Sequence, residues 1–130
     1  MLIADDQKSV GTTLAALVER CGHEVLEVVG SGLEAIQAYT RLRPDVVLMD
    51  YSMPRLNGAT ACRMILSKDA NARVILVSGV ATSATLSDSG AVAILPKPLN
   101  LEQLYAALYD AGKQEPPARS GEDTVAPPSD

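Results

Sequence analysis

The chain has 130 residues, 47% of them hydrophobic, and a formal net charge of −5, which suits one domain with a single core and excludes a disordered chain. The acidic balance and the scattered Lys and Arg speak against nucleic-acid binding by this chain, which needs clustered cations. No apolar run approaches the roughly 20 residues of a membrane span and no signal peptide precedes the first strand, so the expected setting is cytoplasmic, with no membrane partner.

Leu2-Ile3-Ala4 is a short apolar run that ends on Asp5 and Asp6. Residues 10–21 read as a helix, with Val10, Leu14, Leu17, Val18 and Cys21 at helical spacing and Gly22 as the stop. Residues 24–29 form a second strand. Ser31 opens a second helix with Glu34 at the capping-box position. Leu33, Ala35, Ile36, Tyr39 and Leu42 form its apolar side, and Pro44 closes it. Val46, Val47, Leu48 and Met49 are a continuous apolar run, as expected of a parallel strand covered on both faces. That run ends on Asp50, after which Pro54 and Gly58 break the chain into a loop. A third helix covers 59–68, and a fourth strand at 73–77 ends on Ser78. Residues 81–90 are a weak helix candidate, rich in Ser and Thr, with Leu86 as the only large apolar side chain. A fifth strand at 92–95 leads into Lys97-Pro98. Asn100 then caps a last helix with Leu101, Leu104, Tyr105 and Leu108 as its buried stripe. Cys21 and Cys62 lie on apolar helix faces and are expected as buried free thiols. From residue 114 the chain holds Pro116, Pro117, Pro127 and Pro128, several acids, and Val125 as its one apolar side chain larger than Ala. Residues 114–130 are therefore expected to be a disordered Pro-rich acidic tail, and residues 1–113 one domain.

Five strands alternating with five helices imply an α/β fold: a parallel sheet with right-handed crossovers and helices on both faces. Such sheets place their chemistry at the carboxyl ends of the strands. There this chain puts carboxylates (Asp5, Asp6, Asp50), a hydroxyl (Ser78) and an amine (Lys97), a set able to hold a divalent cation and a phosphoryl group.

With the Asp5-Asp6 pair, Asp50 followed by Met53-Pro54 and Gly58, then Ser78 and Lys97-Pro98, the chain resembles the receiver domain of two-component response regulators over about residues 1–112. The resemblance implies a flavodoxin-like (βα)5 doubly wound sheet of strand order 2-1-3-4-5, which brings Asp5, Asp6 and Asp50 together at the switch point. It implies a phosphoacceptor: Asp50 takes a phosphoryl group from a sensor histidine kinase or a histidine phosphotransfer protein in a Mg²⁺-dependent reaction. The domain then signals by altered binding to a downstream protein target. It is not an enzyme beyond catalysing its own phosphorylation and dephosphorylation. Asp6 and Asp50 are expected as direct Mg²⁺ ligands, Asp5 directly or through water, and the Ser52 backbone carbonyl as a further ligand. Ser78 and Lys97 would each cover a phosphoryl oxygen, and Pro98 would follow a cis peptide bond. Ile94 stands at the switch position, where the family carries an aromatic. Only 19 positions lead from Ser78 to Lys97, which shortens the fourth helix by about one turn.

Three other readings compete. A haloacid-dehalogenase-like phosphatase needs a second Asp two residues after its nucleophile, where Ser52 stands. A flavin-binding protein needs a phosphate loop after the first strand, where Asp5 and Asp6 would repel the phosphate. A degenerate receiver acting as a phosphorylation-independent protein-interaction module draws on the altered output face around Ile94. His23, the only histidine, sits in a turn before the second strand and reads as a surface residue.

Overall fold

The structure, a computed structural model, describes residues 1–79 and 88–113. Its elements are β1 (Leu2–Ala4), α1 (Lys8–Arg20), β2 (Glu27–Val29), α2 (Gly32–Leu42), β3 (Val47–Asp50), α3 (Gly58–Lys68), β4 (Val74–Ser78), β5 (Ala93–Pro96) and α4 (Leu101–Lys113). Most of the expected fourth helix, at 81–87, and the expected tail at 114–130 lie outside the described residues. All neighbouring strands pair in parallel, in the order β2-β1-β3-β4-β5. This is the flavodoxin-like arrangement, and its order reverses between β1 and β3.

Side chains alternate through the sheet, so one strand feeds two cores. Leu2, Ala4, Val47, Met49, Val74 and Leu76 meet Ala35, Ile36, Tyr39, Ala61, Cys62 and Ile65 on the side of α2 and α3. Ile3, Leu48, Ile75, Val77 and Leu95 meet Leu14, Val18, Leu104 and Leu108 on the side of α1 and α4. A strand buried on both faces has no polar position to spare until it leaves the sheet. β3 is such a strand, and its first polar residue is Asp50.

Helix starts follow the local chemistry. Ser31 Oγ accepts from the Glu34 N–H at 3.1 Å, and Glu34 Oε1 accepts from the Gly30 N–H at 2.9 Å. Asn57 and Asn100 cap α3 and α4 through the N–H groups of Thr60 and Gln103.

Four details of the sequence reading are corrected. β2 spans only Glu27–Val29; the segment 23–26 before it is irregular, with the Leu26 N–H on the Met1 carbonyl. Leu33 is 57% exposed, since the first turn of α2 projects past the sheet. On α4 the exposed residues include Leu101 and Tyr105, while Leu104, Leu108, Ala107 and Ala111 form the buried stripe. Cys62 is buried and free, whereas Cys21 is only half-buried, because it caps α1 rather than lying inside it.

Candidate functional site

β1 and β3 are adjacent and end level, with Ala4 opposite Met49, so the next residues of each strand leave the sheet side by side. Asp5, Asp6 and Asp50 each offer a carboxylate oxygen, and these oxygens all lie within 4.8 Å of one another. Asp5 is 2% exposed and Asp50 5%, while Asp6 is exposed. Asp5 Oδ1 accepts from the Gln7 N–H at 2.9 Å. Asp5 Oδ2 and Asp50 Oδ1 are buried and have no hydrogen-bond partner among the described residues. Burial raises the Asp5 carboxyl above the ordinary carboxylate range; the Gln7 N–H and Lys97 oppose that rise, and Asp50 and Asp6 add to it.

Lys97 enters from the end of β5. Its Nζ lies 3.0 Å from Asp50 Oδ1. The pair is an ion contact whose angles miss hydrogen-bond geometry, so this oxygen still lacks a directed donor. The Lys97–Pro98 peptide is cis, and the Lys97 N–H bonds the Ser78 carbonyl at 2.9 Å. Ser78 ends β4 opposite Pro96 and is 1% exposed. Ser52 lies exposed in the β3–α3 loop, and Ile94 is half-buried against the α2–α3 core. His23 is at the opposite edge, in a pocket with Arg43 and Asp45.

A loop residue supports Asp50 from behind. The Gly58 N–H bonds the Tyr51 carbonyl at 2.8 Å. A Cβ at Gly58 would collide with the Asp50 carbonyl oxygen and sit 2.9 Å from Tyr51 Cα. The first turn of α3 thus rests directly on the backbone of the acid. Sequence reading marked Gly58 as a loop breaker and missed this contact. It also missed Gln7, whose contribution is a backbone N–H that leaves no trace in side-chain pattern.

Clustered acids with orphaned buried oxygens fit a divalent cation, which supplies charge neutralisation and oxygen coordination when bound. An adjacent ammonium and a strand-end hydroxyl add capacity for an anion. Fold and site together define a flavodoxin-like module whose switch point carries an acidic cluster that could hold a metal ion. Residues 1–109 match the model of the response regulator receiver domain, and the chain belongs to that family. The chemotaxis protein CheY of Listeria monocytogenes is 32% identical, over 87% of this chain and 98% of that protein. A crystal structure of a CheX-CheY-BeF3-Mg²⁺ complex from Borrelia burgdorferi superposes with a TM-score of 0.80 at 26% identity, covering 87% of this chain and 88% of that one. A receiver domain protein from Clostridium thermocellum gives 0.74 at 29% identity, over 85% and 90%. The chain is accordingly a signalling domain of two-component systems. Among the described residues no helix is long and apolar enough to cross a membrane.

Proposed function

We propose that Asp50 is the phosphoacceptor and that Asp5, Asp6, Asp50 and the Ser52 carbonyl hold Mg²⁺. The observation that carries this reading is Asp50 itself: a buried acid with an oxygen lacking any directed donor, 3.0 Å from an ammonium and within a three-acid cluster. An Asp50 oxygen attacks the phosphorus of a phosphohistidine or a small acyl phosphate; the bond from phosphorus to the leaving group breaks, and its electrons depart with that group. No proton has to move at Asp50. Lys97 and the Ser78 hydroxyl then stabilise the phosphoryl oxygens, and the chain catalyses on itself both this transfer and the later attack of water on the aspartyl phosphate, which releases inorganic phosphate and frees the carboxylate. The donor is a sensor histidine kinase or a histidine phosphotransfer protein in the cytoplasm, and the output is altered binding to a protein partner. The receiver unit spans residues 1–113.

The test is incubation with acetyl phosphate, with and without Mg²⁺, followed by intact-mass measurement. One phosphoryl group is expected, dependent on Mg²⁺, labile to hydroxylamine and absent in Asp50→Asn. Modification of a Ser or Thr instead would overturn the assignment. Asp6→Ala should weaken Mg²⁺ binding more than Asp5→Ala, since Asp6 is placed as a direct ligand and Asp5 as a ligand either directly or through water. A second reading, partner binding independent of phosphorylation, draws on Ile94, which is stiff at χ1 and lacks a ring to move. It predicts equal partner binding by Asp50→Asn.

A further inference from the structure

Gly32 opens α2, directly after its Ser31 cap. Glycine is a poorer helix former than alanine, and its backbone here is not left-handed, unlike that of Gly22 and Gly90. The neighbouring loop supplies the reason for it. A Cβ at Gly32 would lie 2.8 Å from the Leu56 carbonyl oxygen and 3.2 Å from Leu56 Cβ and Cδ2. The nearest of these atoms is backbone, so a side chain at position 32 has to push the loop rather than turn a side chain aside. The first turn of α2 and the β3–α3 loop therefore meet directly.

That loop carries Ser52. Its start is tied to the sheet, where the Tyr51 N–H bonds the Val77 carbonyl at 2.8 Å. Its end is tied back onto its start, because the Tyr51 carbonyl accepts from Met53 at 3.1 Å and from Gly58 at 2.8 Å. Between these ties Met53 is buried in the α2–α3 core, and Leu56 packs half-buried against the same core. The Leu56 N–H bonds the Pro54 carbonyl at 2.7 Å. A displaced Leu56 thus pulls on Pro54 and Met53, and Ser52 is the next residue along, with its own side chain exposed.

We propose that Gly32 and Leu56 are positioning residues for the metal site: their contact sets how far the β3–α3 loop stands from α2, and so where the Ser52 carbonyl lies. The role in metal binding rests on the reading of that carbonyl as a Mg²⁺ ligand; the contact itself does not. Mg²⁺ demands well-placed oxygen ligands, and groups that orient a ligand govern affinity almost as the ligand does. In this scheme α2 supplies no ligand and acts through the loop alone.

Gly32→Ala is the first variant. In EDTA it should shift the amide signals of Ser52, Met53 and Leu56 in two-dimensional NMR. Mg²⁺ affinity, read by titrating the same signals, should fall about tenfold. Acetyl phosphate should then modify Asp50 more slowly at limiting Mg²⁺, and at close to the parent rate once Mg²⁺ saturates. Leu56→Ala keeps the glycine and removes packing without adding a clash; it should weaken Mg²⁺ in the same direction, and it carries the comparison should Gly32→Ala fail to fold. Tyr39→Phe is the control, since it destabilises the fold at the amino edge and should leave Mg²⁺ affinity unchanged.

Parent-like Mg²⁺ affinity in the folded variants would overturn the positioning role. So would an equal loss in Tyr39→Phe, or a rate deficit that saturating Mg²⁺ leaves in full. Should the parent chain bind no Mg²⁺, the ligand reading falls and the role in metal binding falls with it. The metal-free spectra then decide the contact: a Ser52 signal that moves in the variants upholds its hold on the loop, and one that stays overturns it.

Discussion

Two aspartates at opposite edges of one sheet are treated in opposite ways. Asp69, the C-cap of α3 at the amino edge, accepts from the Tyr39 hydroxyl at 2.7 Å, the Asn71 N–H at 3.0 Å and the Arg43 guanidinium at 3.2 Å. Asp5, at the carboxyl edge, accepts one backbone N–H and leaves Oδ2 buried and unpartnered. The hydrogen bond from Tyr39 holds the Asp69 carboxyl below the usual carboxylate range, and burial lifts the Asp5 carboxyl above it. The amino edge satisfies its charges internally and gains stability. The carboxyl edge leaves them open to a ligand and gives up stability for that capacity, as functional sites commonly do.

The sharpest way to break this comparison is Gly58→Ala. The added Cβ meets backbone at Asp50 and Tyr51 rather than a flexible side-chain end, so the β3–α3 loop has to move. A loss of about 3 kcal/mol in urea unfolding is expected, the upper end for overpacking, together with slower phosphorylation by acetyl phosphate. A loss below about 0.5 kcal/mol would show that Asp50 does not depend on this support.

Next comes a pair of changes with opposite signs. Tyr39→Phe removes the donor to Asp69 and should cost about 1 kcal/mol, discounted because Asp69 is partly solvated. Asp69 has a depressed folded-state pKa, so its contribution is present above the unfolded-state value and is lost as pH falls through the folded one. The cost of Tyr39→Phe should therefore fade on acidification. Asp5→Asn should instead stabilise the protein by about 1 kcal/mol in EDTA. With a raised folded pKa, Asp5 favours the fold most below its unfolded value, and that contribution is lost as pH rises through the folded value. The gain should thus appear near neutral pH, vanish in acid, and shrink or reverse in excess Mg²⁺. Urea titrations of both variants across pH check the signs; parallel pH slopes would erase the distinction between the edges.

Much of this was legible in the sequence because the apolar runs and the acids that end them are adjacent in the chain. Leu2-Ile3-Ala4 before Asp5 and Val47-Leu48-Met49 before Asp50 mark strands and their functional ends together. Strand order came from family resemblance, since periodicity does not say which runs pair. The exposed faces were read less well. Leu33, Leu101 and Tyr105 have the right spacing to be buried, yet each lies on the part of its helix that the sheet does not cover. The Tyr39–Asp69 bond joins residues 30 apart in the chain, and the Gly58 contact is with backbone. Neither leaves a local pattern to read.

The smallest effect concerns two arginines with left-handed backbone, one at each edge. Arg43 has φ 50 and Arg55 φ 71. Each bears a cost of about 1 kcal/mol that glycine would not, though glycine also adds unfolded-state entropy worth about 0.5–1 kcal/mol. At Arg55, exposed in the β3–α3 loop and without an ion pair among the described residues, the two terms nearly cancel. Arg55→Gly should leave stability within about 0.5 kcal/mol of the parent, on the stabilising side. At Arg43 the same relief is opposed by loss of the contact with Asp69 and of a guanidinium 5.9 Å from the Tyr39 ring centroid. That side chain is 64% exposed, so these contacts are worth only a few tenths of a kcal/mol each, and Arg43→Gly should lose about 0.5 kcal/mol. Because both variants make the same chemical change at the same backbone conformation, their difference isolates the contacts from the strain. Paired urea titrations read that difference, and it should shrink when Asp69→Asn is already present, leaving the part that comes from the Tyr39 ring. An equal response of the two arginines in the parent chain would mean that Arg43 holds nothing at the amino edge, and that the Tyr39 hydroxyl and the Asn71 N–H set the state of Asp69.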